Sequence, residues 1–249
     1  MLRNSIAPDL LELLDPGTQE ETDLYCQYAR HSGGPVLVLL CGTGRIPLAI
    51  ARQGVPVVGL DPDPALVETC KRKASQANLN RAMFVRGDPC RFVSDSKHPL
   101  VLIPGGGFQQ MLTLEEQRQS LLAIRQAMAI GGLLVLDLPV ALPGVESMSE
   151  PLLRRMGPAG ERTAVIHRSG RYDPVRQTRE ELVACHWLDQ EGNVSKTQYS
   201  TLTLRYSTPA EVLLLLENCG FTAALYGGYD RQEFLPGATR LIVEAQRKL

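Results

Sequence analysis

The stretch VLVLLCGTGRIP, residues 36–47, decides how this chain folds. Its first five residues form an uninterrupted apolar run, which is typical of a β-strand buried on both faces of a sheet. The run breaks at Gly42-Thr43-Gly44, and a helical pattern of apolar residues then continues to Gln53. A strand, a glycine-containing turn and a helix in this order predict the first β–α unit of a parallel sheet.

Further β–α units follow along the chain, because apolar runs alternate with amphipathic stretches. The predicted strands are residues 36–40, 55–60, 81–85, 99–103 and 133–138, followed near the end by 221–227 and 239–245. This order predicts an α/β fold with a Rossmann-like, doubly wound sheet of seven strands, in which the last strand is antiparallel.

The pattern changes after residue 138. Residues 139–160 are rich in Pro and Gly and predict a connection without regular structure. Three longer alternating stretches predict an antiparallel β-meander with one buried face: residues 162–172, 178–188 and 194–206. We therefore expect a single domain over residues 1–249, with a β-meander inserted at 160–207.

Composition argues against several classes of protein. The 26 Lys and Arg residues nearly balance the 27 Asp and Glu residues, so no basic surface for nucleic acid is expected. No two of the six cysteines form a CxxC pair, so neither a zinc site nor any other metal site is expected. No apolar run reaches the roughly 18 residues of a membrane span, and the first residues lack the apolar core of a signal peptide. We expect a cytoplasmic protein without a membrane partner.

The glycine turn is the strongest candidate for a ligand site. Such a turn lets a ligand approach the backbone closely, and the following helix N-terminus offers free N–H groups. Asp61 follows at the end of the second strand, where a carboxylate can accept hydrogen bonds from both hydroxyls of a ribose. These features predict a site for a ligand that contains adenosine. A dinucleotide fingerprint would need glycine at position 47, which is Pro47 here, and this counts against a nicotinamide cofactor.

Five segments resemble, in order and spacing, motifs of class I S-adenosylmethionine (SAM)-dependent methyltransferases. They are VLVLLCGTGRIPLAIARQG, VVGLDPDPALV, FVRGDPCRF, LLAIRQAMAIGGLLVLDL and the tail ENCGFTAALYGGYD with RLIVEAQ. The resemblance covers residues 20–140 and 208–247, and is strongest with small-molecule methyltransferases that insert an antiparallel sheet before the last helix. It implies SAM as the cofactor and S-adenosylhomocysteine (SAH) as the product.

The resemblance also assigns a role to each part of the chain. Residues 1–34 would form an N-terminal helical cap, 35–140 the SAM-binding core, and 208–249 the C-terminal part of that core. The inserted meander at 160–207 would act as a lid. Its exposed sheet edge would invite pairing with a second copy, so a homodimer is also expected.

Cofactor-binding residues follow from the matching motif positions. In the family's pattern, Gly42 and Gly44 would line the methionine part of SAM, Asp61 would bind the ribose hydroxyls and Asp88 would accept from the adenine amino group. The full predicted set is Leu40, Cys41, Gly42, Thr43, Gly44, Asp61, Pro62, Gly87, Asp88, Pro89, Ile103, Pro104 and Gly105.

Acceptor-binding residues are expected on the N-terminal helix, after the fourth strand and in the inserted sheet. We predict catalytic roles for Tyr28 and His186, through which a hydroxyl acceptor could lose its proton. The predicted substrate contacts are Tyr25, Phe108, Gln109, Arg205 and Tyr206. The expected reaction is N- or O-methylation of a small-molecule acceptor.

Two departures from the family pattern leave other functions open. Val38 stands where the family usually has an acid, and Leu40 stands where it usually has a further glycine; both positions touch the methionine pocket. A non-catalytic module that binds SAM or mediates dimerisation is therefore one alternative. A nicotinamide-dependent oxidoreductase is the other, although Pro47 disfavours it.

Overall fold

Two β-sheets form the framework of the computed structural model, which describes residues 6–140, 147–148, 152–156 and 162–248. The helices are α1 (Pro8–Leu14), α2 (Gln19–Ser32), α3 (Arg45–Arg52), α4 (Pro64–Gln76), α5 (Leu114–Ala127) and α6 (Pro209–Asn218). The strands are β1 (Val36–Leu39), β2 (Val57–Asp61), β3 (Ala82–Arg86), β4 (His98–Ile103), β5 (Met128–Pro139), β6 (Ser147–Met148), β7 (Leu152–Met156), β8 (Arg162–Asp173), β9 (Thr178–Leu188), β10 (Val194–Arg205), β11 (Phe221–Tyr226) and β12 (Arg240–Arg247).

The first sheet has seven strands in the order β11-β12-β5-β4-β1-β2-β3. The pairs around β1 are parallel, whereas β12 runs antiparallel to both β5 and β11. All four residues of β1 are buried, as their apolar run predicts for a strand covered on both faces. The predicted Rossmann-like sheet is therefore confirmed, including its antiparallel last strand.

The second sheet is the inserted one, with the order β10-β9-β8-β6 and with β7 also paired to β8. Strands β8, β9 and β10 confirm the predicted meander. The prediction of an irregular connection at 139–160 was wrong in part, because β6 and β7 lie within it and pair antiparallel with β8. Strands β6 and β7 have only two and five residues. Strands this short show too little of the alternation of apolar and polar residues by which a strand is recognised in a sequence. The rest of the predicted connection from residue 141 onward lies outside the described residues.

Helix α1 packs against the inserted sheet. Its residues Leu10 and Leu13, with Ile6 just before the helix, share a separate core cluster with Ala164, Ile166, Val183, Cys185 and Trp187. Leu11 of α1 packs against the same cluster and also reaches the glycine turn of the first sheet, where its side chain comes within 3.3 Å of the Cβ position that Gly42 lacks. The inserted sheet thus holds α1 across the glycine turn.

Side-chain caps begin α4 and α5, two of the helices that follow strands of the first sheet. Asp63 accepts from Ala65 N at the start of α4, and Thr113 and Glu116 form a capping box at the start of α5. None of the helices in the described parts of the chain combines the length and the apolar character needed to cross a membrane.

Candidate functional site

A cleft of about 110 Å³ opens at the carboxyl ends of β1, β2 and β4. In the sheet, β2 is the neighbour of β1 on one side and β4 is its neighbour on the other, so the strand order reverses at β1. Ligands of open α/β sheets bind at such a switch point. The cleft is lined by Leu11, Asp15, Leu40, Cys41, Gly42, Thr43, Arg45, Ile46, Asp61, Pro62, Asp63, Leu66, Pro104, Gly105, Gly107 and Gln110.

The floor of the cleft is the glycine turn between β1 and α3. Gly42 and Gly44 have φ angles of +57° and +86°, which favour glycine. A Cβ on Gly44 would also lie 2.9 Å from Cys70 Sγ. The thiol of Cys70 in turn donates to the carbonyl oxygen of Gly42 over 3.2 Å, so α4 supports the turn from below.

Asp61 stands at the end of β2 and is only 4% exposed. Its Oδ2 accepts from Gly42 N over 2.9 Å, and its Oδ1 accepts from Asp63 N over 3.0 Å. Burial raises the pKa of this carboxyl to about 6, although the two backbone N–H groups oppose the shift. Each oxygen of an ionised carboxylate has two lone pairs, so each retains capacity for one more donor.

The loop after β4 forms the opposite wall. The N–H of Gly105 donates to Asp137 Oδ2 over 3.3 Å. Asp137 is fully buried on β5, pairs with Arg240 over 2.9 Å and accepts from the Tyr229 hydroxyl over 2.8 Å. Asp137, held by this ion pair, fixes the backbone of the loop where it lines the cleft.

The roof of the cleft was not anticipated from the sequence. It consists of Leu11 and Asp15 at the end of α1, together with Arg45 at the start of α3. Arg45 contacts Glu21 over 2.9 Å and Asp15 over 3.4 Å. Asp15 followed by Pro16 and Gly17 indicates only a turn in the sequence, and these partners are 24 and 30 residues from Arg45 along the chain. Local patterns could not have predicted this contact.

Most predicted cofactor residues come together in this cleft. Those that line it are Leu40, Cys41, Gly42, Thr43, Asp61, Pro62, Pro104 and Gly105. Gly44 lies directly behind them as the N-cap of α3. Ile103 is fully buried in the core next to the loop it precedes.

The predicted adenine-binding residues lie beside the cleft and not in its wall. Gly87 N donates to the carbonyl oxygen of Asp61, which places the segment next to β2. The exposed Asp88 accepts from Cys90 N over 2.9 Å, and Pro89 between them is buried. A cofactor contact by Gly87 and adenine contacts by Asp88 and Pro89 stay predictions.

The predicted acceptor residues are divided between two places. Tyr25, Phe108 and Gln109 are buried near the loop after β4. Gln109 donates to the carbonyl oxygen of Pro139, and the Tyr25 hydroxyl has no hydrogen-bond partner among the described residues.

Arg205 and Tyr206 lie instead at the end of β10. Arg205 is buried and binds Gln117, Gln177, Ser207 and Glu211. The ring of Tyr206 lies edge-on to that of Tyr172 in the same sheet.

Tyr28 and His186, the predicted catalytic residues, do not line the cleft. The Tyr28 hydroxyl donates to Glu244 on β12. His186 Nδ1 lies 3.0 Å from Thr197 Oγ1, and its side chain occupies the face of the inserted sheet opposite α1, since Cys185 and Trp187 point toward α1. Within the described ranges, no group of three His, Cys, Asp or Glu residues is arranged to hold a metal ion.

Fold and cleft together define an α/β protein of the Rossmann-like class whose site lies at the switch point of its sheet. Comparison with known proteins narrows the class. Residues 36–132 match the family model described as a methyltransferase domain. A methyltransferase domain therefore matches this part of the chain, and the predicted resemblance to class I SAM-dependent methyltransferases is confirmed.

Solved structures share this fold over nearly the whole chain. The CcbJ methyltransferase from Streptomyces caelestis is 20% identical with a TM-score of 0.79, over 94% of this chain and 92% of that one. SAM-bound CalS10, an amino pentose methyltransferase from Micromonospora echinaspora, is 18% identical with a TM-score of 0.75, over 98% of each chain. At these identities the likeness concerns the fold.

A curated relative matches only a short part of the chain. The 23S rRNA (uracil(1939)-C(5))-methyltransferase RlmD of Vesicomyosocius okutanii is 41% identical over 58 residues, which are 23% of this chain and 13% of that enzyme. Substrate and partners therefore have to be argued from the site itself.

Proposed function

We propose that this chain is a SAM-dependent methyltransferase that methylates an N or O atom of a small molecule and releases SAH. One observation carries the proposal. The segment that matches the methyltransferase domain contains the glycine turn, Asp61 and the loop after β4, and these three line a single cleft.

The polar groups of the cleft fit SAM. Asp61 retains acceptor capacity for two ribose hydroxyls, and the positive φ angles of Gly42 and Gly44 leave the backbone open to close approach. The volume of about 110 Å³ is below the roughly 300 Å³ at the lower end of small-molecule sites, so the cleft would have to widen when the cofactor enters. SAM supplies an electrophilic methyl group on a sulfonium ion.

Catalysis by this chain would be mainly positioning. Asp61 and the turn fix one end of the cofactor, and the loop after β4, held by Asp137, forms the wall beside the reacting groups. Aligning two reactants in this way replaces an encounter in solution by a reaction within one complex. Helix α1 and the inserted sheet would close over the acceptor and exclude water.

A small acceptor, preferably an amine, is supported by two observations. The balanced charge of the chain offers no general attraction for nucleic acid. CalS10, which has a similar fold, is an amino pentose methyltransferase. The contacts predicted for Tyr25, Phe108 and Gln109 would lie on the side of the loop after β4.

A non-catalytic SAM-binding module is the second candidate, and Leu40 favours it. Leu40 has a φ of +51°, a strained value for leucine, and its side chain narrows the cleft beside Gly107. A module of this kind would bind SAH without turnover.

Transfer of labelled methyl groups from SAM to a panel of small amines and hydroxyl compounds tests the proposal. We expect an amine acceptor to become labelled, and we expect the Asp61→Ala variant to lose most of this labelling. Binding of SAH without labelling of any acceptor would favour the non-catalytic module.

A further inference from the structure

The wall of the cleft that β1 provides carries no charge for the amino-acid end of a cofactor. Val38 is completely buried in an apolar cluster with Val36 and Ile46. The side chain of Leu40 is apolar as well and lines the cleft. A ligand that ends in an ammonium and a carboxylate must therefore find its charged partners on another wall.

The charged residues that line the cleft stand at two separate ends. Asp61 and Asp63 lie together after β2, where the Asp63 N–H donates to Asp61. Asp15 and Arg45 lie in the roof on the other side of the turn. Asp15 Oδ2 is 3.0 Å from the Cβ position that Gly105 lacks, so its carboxylate hangs over the loop after β4.

Arg45 is held in place for a ligand. Its Nη1 and Nη2 each lie 2.9 Å from an oxygen of Glu21, whose side chain is only 3% exposed. Its guanidinium packs so closely under Gly17 that a Cβ there would lie 2.1 Å from Nη1. The side chain of Arg45 nevertheless stays 25% exposed and lines the cleft. A guanidinium has five N–H donors, so Arg45 is fixed by Glu21 and keeps donors for a ligand.

Asp15 is less engaged. Its contact with Arg45 is 3.4 Å long, and its side chain is 44% exposed. A carboxylate in this state accepts readily from an added ammonium, and charge-assisted hydrogen bonds of this kind are about twice as strong as neutral ones.

We propose that Asp15 binds the ammonium and Arg45 the carboxylate of the cofactor's amino-acid end, in place of a charged residue on β1. This inference rests on the proposed function, because it concerns the same cofactor. It makes the N-terminal segment part of the cofactor site and explains how Val38 is compatible with binding.

Truncated ligands test the proposal by calorimetry on the full chain. SAH has both charged groups, decarboxylated SAH has only the ammonium, and 5′-methylthioadenosine has neither. We expect Asp15→Asn to weaken the binding of SAH and of decarboxylated SAH by about 10- to 100-fold, and to leave the binding of 5′-methylthioadenosine unchanged. We expect Arg45→Lys, which keeps a charge beside the buried Glu21, to weaken SAH but not decarboxylated SAH.

Glu12→Gln is the matched control for movement of α1. It removes the ion pair that joins Glu12 to Lys73 on α4, but leaves Asp15 in place. Its effect should be equal for all three ligands. Equal weakening of all three ligands by Asp15→Asn would overturn the proposal, and so would unchanged binding of SAH. If the unaltered protein bound none of the three ligands, the proposed function itself would be wrong.

Discussion

In the proposed cofactor site, the carboxylate of Asp61 would accept hydrogen bonds from the ribose hydroxyls. An ionised carboxylate accepts more strongly from ribose hydroxyls than a neutral one, and the pKa of Asp61 is about 6. We therefore expect the Kd for SAH to fall as the pH rises from 5 to 7. Calorimetry across this range is the measurement.

Asp61→Asn should flatten that pH profile, whereas Asp95→Asn, which changes an exposed acid, should leave it unaltered. A profile that persists in Asp61→Asn would assign the titration to another group.

The free energy of unfolding should change with pH in the opposite sense to SAH binding, decreasing as the pH rises. Because folding raises the pKa from 3.8 to about 6, the native state holds more protons between these values, and the contribution of Asp61 to stability is lost as the pH rises through 6.

Gly44 is needed both for its backbone conformation and for its lack of a side chain. Alanine at a positive φ costs about 1–2 kcal/mol, and the contact of 2.9 Å with Cys70 Sγ should add about 1–3 kcal/mol of overpacking. Gly54 has a similar φ of +77° but no atom within 4 Å of its Cβ position. Urea unfolding should show Gly44→Ala to be less stable than Gly54→Ala, and equal losses would contradict the close packing.

Residues of this site were predictable where the signal is local. Gly42, Gly44 and Asp61 lie at fixed places after predicted strands, so spacing alone located them. Asp15 and Arg45 meet through a contact between separate segments, and nothing near either residue indicates the other. The roof of the cleft therefore required the three-dimensional structure.

Among the elements, β10 is joined to the first sheet's helices by one buried arginine. Arg205 on β10 pairs with Glu211 on α6 and donates to Gln117 on α5 over 3.0 Å. The spacing of Thr208 and Glu211 in the sequence predicts a capping box, in which Glu211 would accept from the Thr208 backbone N–H. Its carboxylate instead accepts from Arg205 and Gln177, while the Thr208 hydroxyl still caps the helix.

Replacing Arg205 tests whether it serves structure or substrate. We expect Arg205→Met to lower the free energy of unfolding by about 3 kcal/mol, because it leaves the carboxylate of Glu211 without its cationic partner. Arg176→Met, at a side chain that is 81% exposed, should change it by less than about 0.5 kcal/mol. A stable Arg205→Met protein with a raised KM for its acceptor would support the predicted substrate contact instead.

For the whole molecule, the order of apolar runs was sufficient to predict the sheet and its insertion. The packing of α1 on the inserted sheet was not predictable, because a short amphipathic helix does not indicate which apolar surface it will cover. The predicted division at 1–34, 35–140, 160–207 and 208–249 stays a prediction, as does the homodimer. The inserted sheet exposes Leu153, Leu182 and Tyr199, and this apolar surface is where a dimer contact would be sought.

The central claim is that the cleft binds SAM and its product. Parallel calorimetric titration of the protein with SAM, SAH and NAD tests this claim most directly, with Asp61→Ala as the control. We expect SAM and SAH to bind, NAD not to bind, and Asp61→Ala to weaken both sulfur ligands by at least about tenfold. Binding of NAD, or no binding of SAM and SAH at millimolar concentration, would contradict the assignment of this cleft.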